Sequence, residues 1–79
     1  MSRDEIRAKI RDILAEILED DALVLTDDTT AQDVPWWDSL NHLKLLVAIE
    51  GELDIKFAIT ELTAARNVGD LVSLVQVKL

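Results

Sequence analysis

The sequence predicts an all-α fold, a four-helix bundle with three main helices and one short third helix. Two kinds of observation predict it: apolar stripes recur at helical spacing, and good capping residues stand where those stripes begin. In residues 2–18, Ile6, Ile10, Ile13, Leu14, Ile17 and Leu18 follow the i, i+4, i+7 spacing of one buried face. Ser2 followed by Glu5 is the pattern of a capping box, in which each residue satisfies the other's free N–H. Residues 39–52 read as the second helix. Leu40, Leu43 and Val47 share one of its faces, while Leu45, Ala48 and Ile49 lie elsewhere around the cylinder. A helix apolar on several sides is expected to sit centrally, packed by several neighbours. Gly51 falls near its end, where helix propensity drops.

Residues 53–57 alternate like a strand, but a lone short strand has no partner here, so an extended connector is expected. Ile59 to Ala65 is read as the short third helix. Asn67 is a good cap for the last helix, whose buried stripe is expected to be Val68, Leu71, Val72, Val75 and Leu79. Residues 19–38 break the helical pattern. Ala22-Leu23-Val24-Leu25 is an apolar insert suited to pinning a loop onto the core, and Thr26-Asp27-Asp28-Thr29-Thr30 favours turns and caps. Pro35 biases Val34 towards an extended backbone. A loop of this length in so small a chain points to function.

The chain has 79 residues, 49% of them apolar, enough for a single domain over 1–79 with one core. It has no cysteine, so neither a disulfide nor a thiolate metal site supports the fold. No signal-peptide pattern is seen, and nothing approaches the roughly 20 apolar residues that span a membrane. A soluble, cytoplasmic, monomeric protein is the expectation. Sixteen acidic against eight basic residues give a charge of −8. Such a field disfavours nucleic acid and anionic membranes and attracts basic partner surfaces. Glu19, Asp20, Asp21, Asp27, Asp28, Asp33 and Asp38 crowd one stretch that holds no Lys or Arg. That run suits either a solvated loop or a docking surface for basic enzymes.

The informative segment is Trp36-Trp37-Asp38-Ser39-Leu40, which sets a serine at the first turn of an apolar helix. A hydroxyl there lies beside unpaired N–H groups and the positive end of the helix dipole, where a phosphate ester is favoured. Taken alone, Ser39 is equally an ordinary N-cap. In context, Asp38-Ser39-Leu40 resembles the attachment motif of acyl carrier proteins. The likeness extends along the chain, through the long loop, the spacing of Leu40 and Leu43, Glu50, Leu53-Asp54-Ile55 and a last helix from about Val68.

The resemblance implies that a phosphopantetheinyl transferase attaches 4′-phosphopantetheine from coenzyme A to Ser39. The arm would then carry acyl or aminoacyl cargo as a thioester between a loading enzyme and a downstream synthase or transferase. The chain itself would not be a catalyst. Asp38 would help the transferase engage the helix start, and Leu40 would be a partner contact. Phe57 and Ile59 are expected to face the cargo, on resemblance alone. Carriers of fatty-acid synthesis usually bear several acids on the exposed side of the second helix. Asn41, His42 and Lys44 stand there in this chain, with only Glu50 keeping the expected sign and Gly51 where an acid is common. A specialised pathway, such as polyketide or related secondary metabolism, is therefore expected. Trp36, Asp38, Leu40, His42, Lys44 and Glu50 are the candidate partner contacts.

Trp37 is expected to cap the core and Trp36 to face outward beside the arm. Ser39 and His42 are one turn apart, which raises a serine nucleophile with a histidine base. The third oriented group and an oxyanion site are missing from the pattern, and so is a Gly-x-Ser-x-Gly elbow. Asp27, Asp28 and Asp33 lack the ligand spacing, central Gly and closing Glu of a calcium loop. With one histidine and no cysteine, no metal is expected. The alternative that survives is an acidic helical adaptor module without a prosthetic group.

Overall fold

Ser2 starts the first helix as its sequence requires. Its hydroxyl accepts from the Glu5 N–H at 3.1 Å, and its own N–H donates to Glu5 Oε1 at 2.9 Å. In the computed structural model, which describes residues 1–79, this helix α1 spans Arg3–Leu18 and ends at Glu19 in the left-handed region. A loop with one 3₁₀ turn at Ala31–Asp33 leads to α2, Ser39–Leu53. α3 covers Ile59–Ala64 and α4 covers Val68–Lys78. The fold is all-helical with no strand, and residues 54–58 form the expected extended connector. Asn67 caps α4 as expected, its Oδ1 accepting from the Asp70 N–H at 2.8 Å.

The core is one cluster of 17 buried side chains, all apolar. α1 supplies Ile6, Ile10, Ile13, Leu14 and Ala15 and packs against both α2 and α4, while α3 packs on α4. α1 is thus the central element, which corrects the expectation for α2. α2 buries only Leu45, Leu46 and Ile49, towards α1. Its second apolar face stays in solvent, with Leu40, Leu43 and Val47 exposed at 62%, 57% and 59%. Leu79 likewise falls beyond the end of α4 and is exposed.

The loop after α1 is tied down at several points. Leu23 and Leu25 are buried while Val24 between them points out, so the apolar insert does pin the loop. Arg11 donates to the carbonyls of Leu23 and Asp21. Asp27 Oδ1 accepts from Arg7 Nη1 at 3.0 Å and Asp27 Oδ2 from Arg3 Nη2 at 3.3 Å, both on α1. The first N–H groups of α4 are used in the same way. Val68 donates to the Thr29 carbonyl at 2.9 Å and Gly69 to the Asp27 carbonyl at 2.8 Å. Arg7, then Arg3, hold the Asp27 carboxyl below its ordinary range. The acidic run is therefore largely a structural strap: the side chains of Asp20, Asp27, Asp33 and Asp38 are all hydrogen-bonded internally.

The two glycines have opposite surroundings. Gly51 lies inside α2, which continues through it to Leu53, and a Cβ there would meet nothing within 4 Å. A Cβ on Gly69 would stand 3.0 Å from both the Cβ and the carbonyl oxygen of Asp27. Gly51→Ala is expected to stabilise the protein by about 0.5–1 kcal/mol, raising Tm by several degrees. Gly69→Ala is expected to lower Tm, because the strap must shift. Thermal unfolding of the two variants followed by circular dichroism checks both signs.

Candidate functional site

The chain reaches α2 through a tight turn. Trp37 N–H donates to the Val34 carbonyl at 3.2 Å, with Pro35 and Trp36 between them and Trp36 at φ 70°. Proline second and a positive φ third is the pattern of a type II turn, whose third position normally belongs to Gly or Asn. Trp36 occupies it at a cost of about 1 kcal/mol or more. Two hydrogen bonds hold its carbonyl, from Asp38 N–H at 2.9 Å and from Asn41 Nδ2 at 2.8 Å. The turn sends the two tryptophans opposite ways, as expected: Trp36 is 80% exposed and Trp37 only 6%.

Asp38, not Ser39, is the N-cap of α2. Its Oδ1 accepts from the Asn41 N–H at 2.9 Å, and its carbonyl accepts from the His42 N–H at 2.8 Å. Ser39 is therefore the first helical residue, which corrects its reading as a cap. Its hydroxyl is exposed and makes no hydrogen bond within the protein, and the N–H groups of Ser39 and Leu40 have no backbone acceptor. Because Asp38 does the capping, the Ser39 Oγ is free beside the donor end of the helix.

Next to Ser39 opens a cavity of about 310 Å³ between α2, α3 and the start of α4. Leu46, Leu62, Ala65, Leu71 and Trp37 supply apolar wall, and Asp38, His42, Arg66 and Asn67 supply polar groups. His42 does not fit its reading as an exposed helix residue. It is half-buried, and its Nδ1 accepts from Trp37 Nε1 at 3.0 Å, with the two rings 5.8 Å apart. Burial lowers its pKa from the ordinary histidine value. The Asp38 carboxylate caps the helix and does not orient the imidazole, so no Ser–His–Asp arrangement forms.

Other expected site residues lie apart. Lys44 is exposed on α2 and free of ion pairs. Glu50 is turned inward to the connector, its Oε2 accepting from the Phe57 N–H at 2.8 Å. Phe57 packs against the core and Ile59 is 80% exposed, and neither lines the cavity beside Ser39. The wall residues Leu62, Ala65, Arg66 and Asn67 were not singled out as site residues in the sequence. They reach Ser39 only through chain reversal, and no local pattern marks them.

Comparison with known proteins agrees with this geometry. The phosphopantetheine attachment site family matches residues 8–75. An acyl carrier protein of Thermotoga maritima is 33% identical over 78 residues, covering 99% of this chain and 96% of that one. The solution NMR structure of a holo acyl carrier protein from Geobacter metallireducens superposes with a TM-score of 0.86. It is 42% identical, over 92% of this chain and 84% of that one. Fold and site thus define a phosphopantetheine-binding carrier. The chain belongs to the acyl carrier protein family. It carries acyl cargo on a covalently attached 4′-phosphopantetheine and is a carrier, not an enzyme, which decides against an adaptor lacking a prosthetic group.

The division of labour at the helix start has a measurable consequence. Asp38→Ala is expected to cost about 1 kcal/mol of stability through loss of the cap. Ser39→Ala is expected to change stability by no more than about 0.5 kcal/mol, since its hydroxyl holds nothing. Urea denaturation of both variants separates the two.

Proposed function

We propose that the Ser39 Oγ is the attachment point of the arm and that the chain serves a specialised acyl pathway, such as polyketide or related secondary metabolism. The observation that carries the first part is the exposed, unbonded hydroxyl at the first residue of α2, beside free N–H groups and the cavity. These residues fit the group. The N–H groups favour a phosphodiester, the cavity offers apolar wall for cargo, and Asp38 keeps the helix start formed. When bound, the arm supplies a thiol on which acyl groups travel as thioesters. Ser39 anchors it, α2 orients its root, and Leu46, Leu62, Ala65 and Leu71 offer shelter from water. Phe57 and Ile59 lie away from that cavity; Phe57 packs against the core, and exposed Ile59 is assigned to the partner-facing surface at the start of α3.

The pathway reading rests on the exposed face of α2. Leu40, Leu43, Lys44 and Val47 are open there, Glu52 is paired with Lys9 at 2.8 Å, and Glu50 holds the connector. This face offers apolar area and a cation where fatty-acid-synthesis carriers present acids. Trp36, beside the same helix start, adds a large apolar anchor of the kind that dominates interface energetics. Partners are a phosphopantetheinyl transferase, a loading enzyme and a downstream synthase or transferase, engaging Trp36 and Leu40 through apolar contact and Asp38 and Lys44 through their charges.

Intact mass after incubation with coenzyme A and a broad-specificity phosphopantetheinyl transferase tests the attachment point. The wild type is expected to gain one phosphopantetheine, and folded Ser39→Ala none. A gain on the variant would move the arm to another residue. Turnover by a fatty-acid ketosynthase with a basic docking patch tests the pathway. Its kcat/KM with the acylated protein is expected to be about tenfold or more below that with a fatty-acid carrier. Equal turnover would return the chain to fatty-acid synthesis.

A further inference from the structure

His42 stands one helical turn after Ser39, so the two side chains are neighbours on α2, and both line the same cavity. The Nδ1 of His42 accepts from Trp37 Nε1–H at 3.0 Å. An indole nitrogen only donates, so Nδ1 bears no proton and the neutral ring keeps its proton on Nε2. That Nε2–H has no acceptor in the protein, yet no buried side-chain polar atom is left unpaired, so Nε2 reaches open space. Trp37 is itself fixed in the core, which holds both the tautomer and the ring orientation.

We infer that His42 Nε2–H is the hydrogen-bond donor that holds the phosphodiester of the arm, making His42 a positioning residue for the root of the arm on Ser39. The inference rests on Ser39 being the attachment point. A phosphodiester is an anionic acceptor without a donor, so only a ring locked with its proton on Nε2 serves it while neutral. The charged groups that share the cavity are Asp38, from the start of α2, and Arg66, from the link between α3 and α4. The residues contributed by the 3₁₀ turn, α3 and α4 (Ala31, Leu62 and Leu71) are neutral, as is Asn67 at the α4 cap. Arg66 is the competing holder, since it has no ion pair in the fold. Its side chain is long and on an exposed residue, so fixing it costs more conformational entropy than using a half-buried ring already locked by Trp37.

The two states of the protein differ in charge at one place. In the unloaded protein, burial keeps His42 below its ordinary pKa, and protonation also puts a hydrogen on Nδ1 and breaks the Trp37 bond. An anion fixed beside the ring favours the imidazolium, so loading moves the His42 pKa upward.

The test compares unloaded and phosphopantetheine-loaded protein, each verified by mass, by NMR from pH 5 to 8. A phosphodiester does not titrate in this range, and His42 is the only histidine in the chain. The ³¹P resonance of the loaded protein is expected to inflect at the pH where the His42 ring titrates. That pH is expected to be higher than in the unloaded protein, with ring ¹⁵N shifts placing the neutral proton on Nε2. His42→Gln is expected to remove the ³¹P inflection. Trp37→Phe, which keeps a ring but has no N–H, is expected to populate both tautomers and raise the His42 pKa without loading. A flat ³¹P titration, or a His42 pKa unchanged by loading, overturns the inference while leaving the carrier reading intact. A ³¹P resonance that responds to Arg66→Ala and not to His42→Gln assigns the phosphodiester to Arg66 and overturns it too. Absence of the mass gain on Ser39 overturns the attachment reading, and the inference falls with it.

Discussion

The structure depends first on the strap that Asp27 ties between α1 and α4. Its carboxylate accepts from Arg7 and Arg3 on α1, and its carbonyl accepts from Gly69 at the start of α4. These bonds lie at the middle of the loop from residue 19 to 38, a length over which free chain would sample many paths. Fixing the midpoint divides that loop into two short spans. The first is pinned by Leu23 and Leu25, and the second runs through the 3₁₀ turn and Pro35 to the start of α2. The position of Ser39 relative to α3 and α4 follows from this strap as much as from helix packing. A chain of net charge −8 thus uses part of its acidity to organise itself.

The helix start then separates duties that one residue could have held. In many helices a serine caps and is consumed by capping. Here Asp38 accepts from Asn41, Asn41 in turn holds the Trp36 carbonyl, and Trp37 donates to His42 one turn into the helix. Asp38, Asn41, Trp37 and His42 are thus each engaged in fixing the backbone or a ring. The serine hydroxyl is left free of hydrogen bonds beside these fixed groups, which suits the attachment role proposed for it.

Much of the fold was legible because it is local. The capping box of Ser2 and Glu5, the Asn67 cap and the stripes of α1 and α4 depend on residues within a turn or two of one another. The outward Trp36 and inward Trp37 follow from the turn chemistry of Pro35. What failed was long-range. The two apolar faces of α2 suggested a central helix, but periodicity cannot say whether a face meets a neighbour or solvent. Glu50 and His42 looked like surface groups, since their partners, Phe57 N–H and Trp37 Nε1–H, are set by the connector and the incoming turn. The cavity wall from Leu62 to Asn67 was invisible for the same reason. Only chain reversal through α3 brings it to Ser39.

The exposed face of α2 and the interior of the site obey one electrostatic arrangement. Asp27 and Glu52 are paired with α1, Glu61 with Lys78 on α4, and Glu50 is turned into the connector. Lys44, Lys56 and Arg66 remain without an ion pair, and Arg66 lies at the cavity. At the cavity beside Ser39 the charges are mixed, with Asp38 and Arg66 both present. The partner surface proposed for this face is made mainly of Trp36, Leu40, Leu43 and Val47, all exposed. Trp36 holds its place there despite a backbone conformation that penalises any side chain, and its ring is almost wholly exposed. The turn itself holds that strain, the Trp36 carbonyl accepting from Asp38 N–H and Asn41 Nδ2 while the ring stays in solvent.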